Sequence, residues 1–281
     1  MKKVQGIVGK RREKILDYIS KNESINTNEL AEKLNISPLT LRRDLQSLDD
    51  EGLIIRYYGG AKLATDIDLD NKSDSEENAV DSTYNKKKHI IAKYAADLIN
   101  DGDTIFINSS STALLILDYL ENKRVYVVTN NGKALQSPIG PNVELVLTGG
   151  QVYERKQSLI GEFATYILSK ITADKCFLGV SGIACDSGIS TSVLQETLIN
   201  HEMLNRCNGQ VYVLADSSKV GRHHSFSSGD ISEISHLITD SDISDADINE
   251  FKDKGVTVIP LDYKAANWLT YINWFLCKTQ K

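Results

Sequence analysis

From Lys86 onward, apolar strand-like runs alternate with helical stretches, and this alternation restricts the fold more than any other feature of the chain. Strands are predicted over 104–107, 124–128, 143–147, 176–180, 210–215, 236–239 and 256–259. Helices are predicted over 88–99, 111–120, 159–170 and 195–206. A tight hairpin leaves no room for a helix between paired strands, whereas a crossover helix returns the chain to start a parallel neighbour. The predicted class is therefore α/β, with a mostly parallel sheet. In such sheets ligands bind outside the carboxyl ends of the strands.

Those strand ends carry polar, flexible sequences. Asn108-Ser-Ser-Ser-Thr112 follows the first strand and opens a helix, which offers backbone N–H groups and the hydroxyls of Ser109, Ser110, Ser111 and Thr112 to an anion. Thr129-Asn130-Asn131 and Thr148-Gly149-Gly150 follow the next two strands, and Gly149 and Gly150 permit close backbone approach. Ala215-Asp-Ser-Ser-Lys219 adds the acid Asp216 and the cation Lys219 after a later strand. Taken singly, Ser or Asn at a helix start is ordinarily a cap and Gly-Gly a turn. Repeated at successive strand ends, they point to an anionic, hydroxylated ligand such as a sugar phosphate.

The first sixty residues follow a different plan. Ile15, Leu16 and Ile19 mark an amphipathic helix over 11–20, and Thr27 caps a second over 28–34 with Leu30, Ala31 and Leu34 inward. Ser37 is the N-cap of a third, with Pro38 at its first position, Leu41, Leu45 and Leu48 on one face, and an end near Asp50. Thr40 and Arg43 point away from that stripe and Arg42 flanks it. The segment 53–63 reads as a hairpin turning at Gly59-Gly60, with Arg56 and Lys62 suited to phosphate contacts. Two helices joined by a short turn, followed by a hairpin, form a winged helix-turn-helix pattern that binds double-stranded DNA.

The strings Ser37-Pro-Leu-Thr-Leu-Arg-Arg-Asp-Leu45 and Gly52-Leu-Ile-Ile-Arg-Tyr-Tyr-Gly-Gly-Ala61 closely resemble the N-terminal signature of DeoR-family bacterial transcriptional regulators. The larger part resembles the effector domain of that family in Val128-Thr-Asn130, Leu147-Thr-Gly-Gly150, Gly161-Glu162, Phe177-Leu-Gly179, Asp186-Ser-Gly188 and Asp216-Ser-Ser-Lys-Val-Gly221. The resemblance implies Ser37, Thr40, Arg42 and Arg43 as DNA-facing residues and a phosphorylated sugar as effector. It also implies a sheet related to ribose-5-phosphate isomerase and glucosamine-6-phosphate deaminase, and Glu196 as an effector-site residue. The family's Asp-Ser-Gly-Thr/Ser-Thr loop stands here as Asn108-Ser-Ser-Ser-Thr112, and the Lys expected four residues after Glu196 is Asn200. Ser110 in place of Gly adds a side chain where backbone should approach the ligand, and Asn200 removes a cation.

Charge is divided to match. Residues 1–62 hold twelve Lys/Arg against nine Asp/Glu, a net of +3, inside a chain whose total is −6. Between the parts, 64–82 carries seven acids and one lysine, and reads as a solvated linker. The expected division is a DNA-binding domain over 1–63, the linker 64–82, an effector domain over 83–263 and an amphipathic tail helix over 264–281. On that tail Trp268, Leu269, Ile272, Phe275 and Leu276 share a stripe. No apolar run approaches the ~20 residues a membrane span needs, and the basic N-terminus lacks the apolar core of a secretory signal. The four cysteines and five histidines show no metal-ligand spacing.

The sequence thus predicts a cytoplasmic, homo-oligomeric (dimeric or tetrameric) repressor of a carbohydrate-use operon. It needs no cofactor and is not an enzyme. The alternative is a sugar-phosphate isomerase or deaminase fused to a DNA-binding arm.

Overall fold

The computed structural model describes residues 7–21, 25–50, 54–57, 60–63 and 79–264. The chain divides into two compact units, residues 1–84 and 85–281.

In the first unit, α1 (Ile7–Lys21), α2 (Thr27–Lys33) and α3 (Pro38–Asp50) surround a core of Ile15, Ile19, Leu30, Ala31, Leu41, Leu45 and Leu48, none more than 2% exposed. The spacing of those residues along each helix brings them to one side, and their burial is what gathers three short helices that would be marginal alone. Strand β1 (Ile25–Asn26) pairs with β3 (Gly60–Leu63), which pairs with β2 (Ile54–Tyr57). The hairpin register sets Tyr57 opposite Gly60, so Gly60 belongs to the strand rather than to the turn expected at Gly59-Gly60. The two-residue β1 carries no periodic signal and was invisible to sequence reasoning.

Most of α4 (Ala79–Asp97) belongs to the second unit; it begins nine residues before the predicted start and inside the segment read as linker. Its first turns lack an apolar stripe, so periodicity located only the part that enters the core. Strands β4 (Thr104–Ile107), β5 (Val125–Thr129) and β6 (Val143–Leu147) follow, with α5 (Ser111–Leu114) and a 3-10 segment (Leu115–Tyr119) after β4. The hairpin β7 (Gln151–Tyr153) and β8 (Ser158–Ile160) then precedes α6 (Glu162–Ser169). The helix predicted from 159 therefore starts three residues later, and its first residues belong to a strand.

Next come β9 (Ala173–Gly179), β10 (Gly182–Ala184), β11 (Gly188–Thr191), α7 (Leu194–Asn205) and β12 (Cys207–Leu214). The chain continues through β13 (Phe226–Gly229), β14 (His236–Asp240), α8 (Asp245–Asp253) and β15 (Thr257–Leu261).

Seven strands form one sheet in the order β15-β14-β12-β9-β4-β5-β6, every neighbouring pair parallel. Both faces are covered, which is why its strands read as nearly continuous apolar runs. Ile105, Ile107 and Phe177 point toward α4 and the 3-10 segment, packing with Ile91, Ala95 and Ile116. Phe106, Cys176 and Leu178 point the other way, toward Ala164 and Leu168 of α6, Ile199 and Met203 of α7 and Phe251 of α8. A small antiparallel sheet, β10-β11-β13, stands apart from the main one. From β4 the chain first builds outward through β5 and β6, then returns to place β9 on the other side of β4. The order therefore reverses between β4 and β9, the topological switch point where a crevice opens at the carboxyl ends.

Candidate functional site

Asn108 follows β4 at this switch point and is 4% exposed. Its Nδ2 donates to the Gly179 carbonyl at 2.8 Å and to Asn200 Oδ1 at 3.1 Å. Its Oδ1 accepts from the Gly179 N–H at 3.0 Å and the Ser110 N–H at 3.3 Å. Gly179 offers one donor and one acceptor, so the amide can face it in only one orientation. One side chain thus closes the ends of β4 and β9 and fastens both to α7.

Ser110 does not do what its replacement of Gly suggested. Its φ of −71° and ψ of 141° are ordinary extended backbone, and its Oγ caps α5 by accepting from Thr112 N at 3.1 Å and Ala113 N at 3.5 Å. The side chain turns toward Gly179, where a Cβ would lie 1.8 Å from Ser110 Oγ. A glycine at the end of β9 therefore accommodates the serine after β4. The same cap takes two of the N–H groups that the sequence offered to an anion. Thr112 is 3% exposed, leaving Ser109 and Ser111 as the more accessible hydroxyls of the loop.

Glu196, in the first turn of α7 and 7% exposed, collects three donors from three segments. Ser109 Oγ lies at 3.1 Å, Thr191 Oγ1 at 2.9 Å and Lys156 Nζ at 3.0 Å. The cation missing at position 200 is thus supplied by Lys156, from the connection between β7 and β8. Sequence reasoning missed Lys156 because it lies on an unpredicted hairpin, forty residues from its partner. Asn200, 5% exposed, serves the buried amide of Asn108 and is not an open position in the site.

The remaining expected residues divide. Asn130 is fully buried, and its Nδ2 donates to the Leu159 carbonyl at 3.1 Å, which ties the end of β5 to β8, while its Oδ1 has no hydrogen-bond partner among the described residues. Gly150, with φ +112°, has Ile160 O 2.5 Å from where a Cβ would sit, a close approach to β8 rather than to an effector. Gly149, with φ +66°, faces open space and is exposed. Asp216 Oδ1 accepts from the Ser218 N–H at 3.1 Å and from the Ser218 hydroxyl, while Lys219 Nζ stands 3.9 Å from Oδ2. Beside them Lys87 of α4 pairs with buried Asp240 at 2.8 Å, and Lys88 donates to Ser111 Oγ at 3.2 Å. Among the described residues no group of three or more His, Cys, Asp or Glu could hold a metal ion, and no helix is long and apolar enough to cross a membrane.

In the first unit, Ser37 Oγ accepts from Thr40 N at 3.1 Å and lies 2.8 Å from Thr40 Oγ1, fixing the start of α3. Arg42 and Arg43 are exposed, while Asp44 is 3% exposed and chelated by Arg11 of α1, whose Nη2 lies 3.0 Å from Oδ1. This ion pair raises the Arg11 pKa and pins α1 against α3. Sequence reasoning counted Asp44 as part of a signature and missed its burial. In the hairpin register Arg56 pairs with Ala61 and Lys62 with Ile55. The side chains of Arg56 and Lys62, residues 64–78 and the tail from 265 lie outside the described residues.

Comparison with known proteins follows this division. The DeoR-like helix-turn-helix domain matches residues 11–66 and the DeoR C-terminal sensor domain matches residues 83–241. Over 233 residues the chain is 31% identical to the HTH-type transcriptional regulator FruR of Bacillus subtilis, covering 83% of this chain and 91% of that one. It is 28% identical over 238 residues to the lactose phosphotransferase system repressor of Staphylococcus epidermidis, covering 82% and 91%. Among solved structures, ribose 5-phosphate isomerase from Methanocaldococcus jannaschii aligns over 47% of this chain and 53% of its own, at 21% identity and a TM-score of 0.34. The chain belongs to the DeoR family of transcriptional regulators, a helix-turn-helix domain followed by a sensor domain.

Proposed function

We propose that this regulator is a cytoplasmic repressor of a carbohydrate-use operon, released from its double-stranded operator when a phosphorylated sugar binds at the carboxyl ends of β4, β9 and β12. The observation that carries the reading is that Lys88, Lys156 and Lys219, from three separate elements, are each held by a hydroxyl or carboxylate of the segments near the carboxyl ends of a parallel sheet. Cations there suit a phosphate. Ser109, Ser111, Glu196 and Asp216 suit sugar hydroxyls, with Gly149 leaving room for approach. On the DNA side, Arg43 and Thr40 enter the major groove, with Ser37, Arg42 and Lys62 as backbone contacts. The lactose repressor among the relatives supports repression and a sugar signal.

Calorimetric titration of the full chain with sugar phosphates and the matching free sugars tests the effector site. Saturable binding of a phosphorylated sugar without turnover is expected, with about 2.7 kcal/mol of added stability at a hundredfold excess over Kd. Lys219→Ala and Lys156→Ala should each weaken the phosphorylated ligand more than the free sugar. Equal losses for both classes would move the phosphate elsewhere, and product formation would establish the isomerase or deaminase alternative. The three donors that Glu196 already accepts from support binding over proton transfer at that carboxylate.

A further inference from the structure

Of the eight large hydrophobic side chains exposed among the described residues, five lie on β7, α6 and α7. Phe163 is 79% exposed and Tyr166 59% on α6; Leu194 is 56% and Leu198 65% on α7; Val152 on β7 is 56%. The two helices pack on each other. Each also turns a separate apolar side inward, Ala164 and Leu168 on one, Ile199 and Met203 on the other. A helix apolar on both sides needs cover on both.

We propose that the outward face of α6 and α7 is a subunit interface, covered by the same face of a second copy of this chain. The area is adequate. Phe163 and Tyr166, at about 150–250 Å² per aromatic ring and exposed as given, supply on the order of a third of the ~800 Å² that each partner of a standard interface buries, and Leu194, Leu198 and Val152 add to it.

The charges are self-complementary. Exposed Glu162 opens α6 and exposed Lys170 closes it. A two-fold axis crossing the helix sets two copies of α6 antiparallel, and each Glu162 then meets Lys170 of the second copy. The apolar tail of the same chain is the rival occupant. It leaves from Lys264, paired with Asp242 at 3.0 Å, and Asp242 is also held by Lys87 of α4. That helix packs on the opposite face of the sheet from α6 and α7.

Sedimentation velocity on the full chain decides the matter. The wild type is expected to sediment as a dimer or larger species, and Phe163→Glu/Leu198→Glu as a species of lower mass with unchanged circular dichroism. Phe163→Tyr/Leu198→Met should keep the wild-type mass. If the glutamate variant loses its folded signal, the charge pair serves instead: Glu162→Lys and Lys170→Glu each raise the dissociation constant several-fold, and together they restore it. A monomeric wild type, a folded glutamate variant of wild-type mass, or charge reversals whose losses simply add would overturn the proposal. So would loss of assembly on Trp268→Glu/Phe275→Glu with assembly retained by Phe163→Glu/Leu198→Glu, which assigns the contact to the tail.

Discussion

Replacing Asn108 by Asp exchanges one buried amide nitrogen for an oxygen and leaves the shape of the side chain alone. The amide nitrogen makes two hydrogen bonds, to the Gly179 carbonyl at 2.8 Å and to Asn200 Oδ1 at 3.1 Å. In Asn108→Asp the Gly179 carbonyl loses its donor and faces a carboxylate oxygen instead. Asn200 can recover by turning its own amide, so one of the two losses is repaired. A buried acceptor left unpaired costs about 1–3 kcal/mol, more beside a charge, which places Asn108→Asp at about 2–4 kcal/mol of destabilisation. Asn200→Lys alone buries an ammonium at a position 5% exposed, one helical turn from a Glu196 carboxylate that already accepts from three donors, and a similar cost follows.

The double variant, Asn108→Asp with Asn200→Lys, sets the new carboxylate against the new ammonium. Each charge then neutralises the other, and a donor returns to the space between β4, β9 and α7. The loss should fall short of the sum of the single losses by about 1–3 kcal/mol, the range for residues in direct contact. Urea denaturation followed by far-UV circular dichroism on the four proteins measures the coupling. Additivity within about 0.5 kcal/mol would show that positions 108 and 200 do not share a polar contact, and the account of the switch point would fail.

Other outcomes follow from named contacts. Gly179→Ala should cost roughly 1–3 kcal/mol by forcing Ser110 out of its cap. The same substitution should be nearly neutral in a Ser110→Gly background, and equal costs in the two backgrounds by thermal denaturation would refute the steric account. Arg43→Ala should weaken operator binding by about 1–3 kcal/mol in fluorescence anisotropy at fixed salt; unchanged binding would remove Arg43 from the DNA surface. His89 packs in the second unit with Nδ1 2.9 Å from Tyr119 Oη, and its burial lowers its pKa to about 4. Because the folded value lies below the ordinary 6.5, the neutral ring's stabilisation is complete above pH 6.5 and is lost as pH falls from there to about 4. His89→Asn should flatten the urea-measured stability over that interval, and an unchanged slope would exclude His89 as its source.

Sequence legibility tracked the range of the interactions involved. β4, β6 and α3 were placed at their observed bounds because an apolar run between turn residues, or a Ser-Pro cap ahead of a leucine stripe, is a local signal that burial enforces. Strands such as β1, β7, β8, β10 and β11, two to four residues long, have no room for a period and exist through antiparallel partners. The residue types gathered at the strand ends were readable for the same reason as the strands themselves, since the end of each run is marked in the chain.

Which of those residues face outward was not readable. The Leu159 carbonyl takes the Asn130 amide nitrogen, the Ile160 carbonyl takes the space beside Gly150, and the cap of α5 takes the Ser110 hydroxyl.

By itself, the sequence determined a helix-turn-helix unit joined to a parallel α/β unit and the family they belong to, since periodicity, caps and motifs are properties of contiguous residues. Only the tertiary structure decided that the strand order reverses between β4 and β9, bringing Asn108 to Gly179 and Asn200. It alone brought Lys156 to Glu196, restoring beside α7 the cation that position 200 lacks. Partners 40 to 92 residues apart meet only after the sheet is assembled. No local rule carries that information, because the contact depends on strand order and not on spacing along the chain.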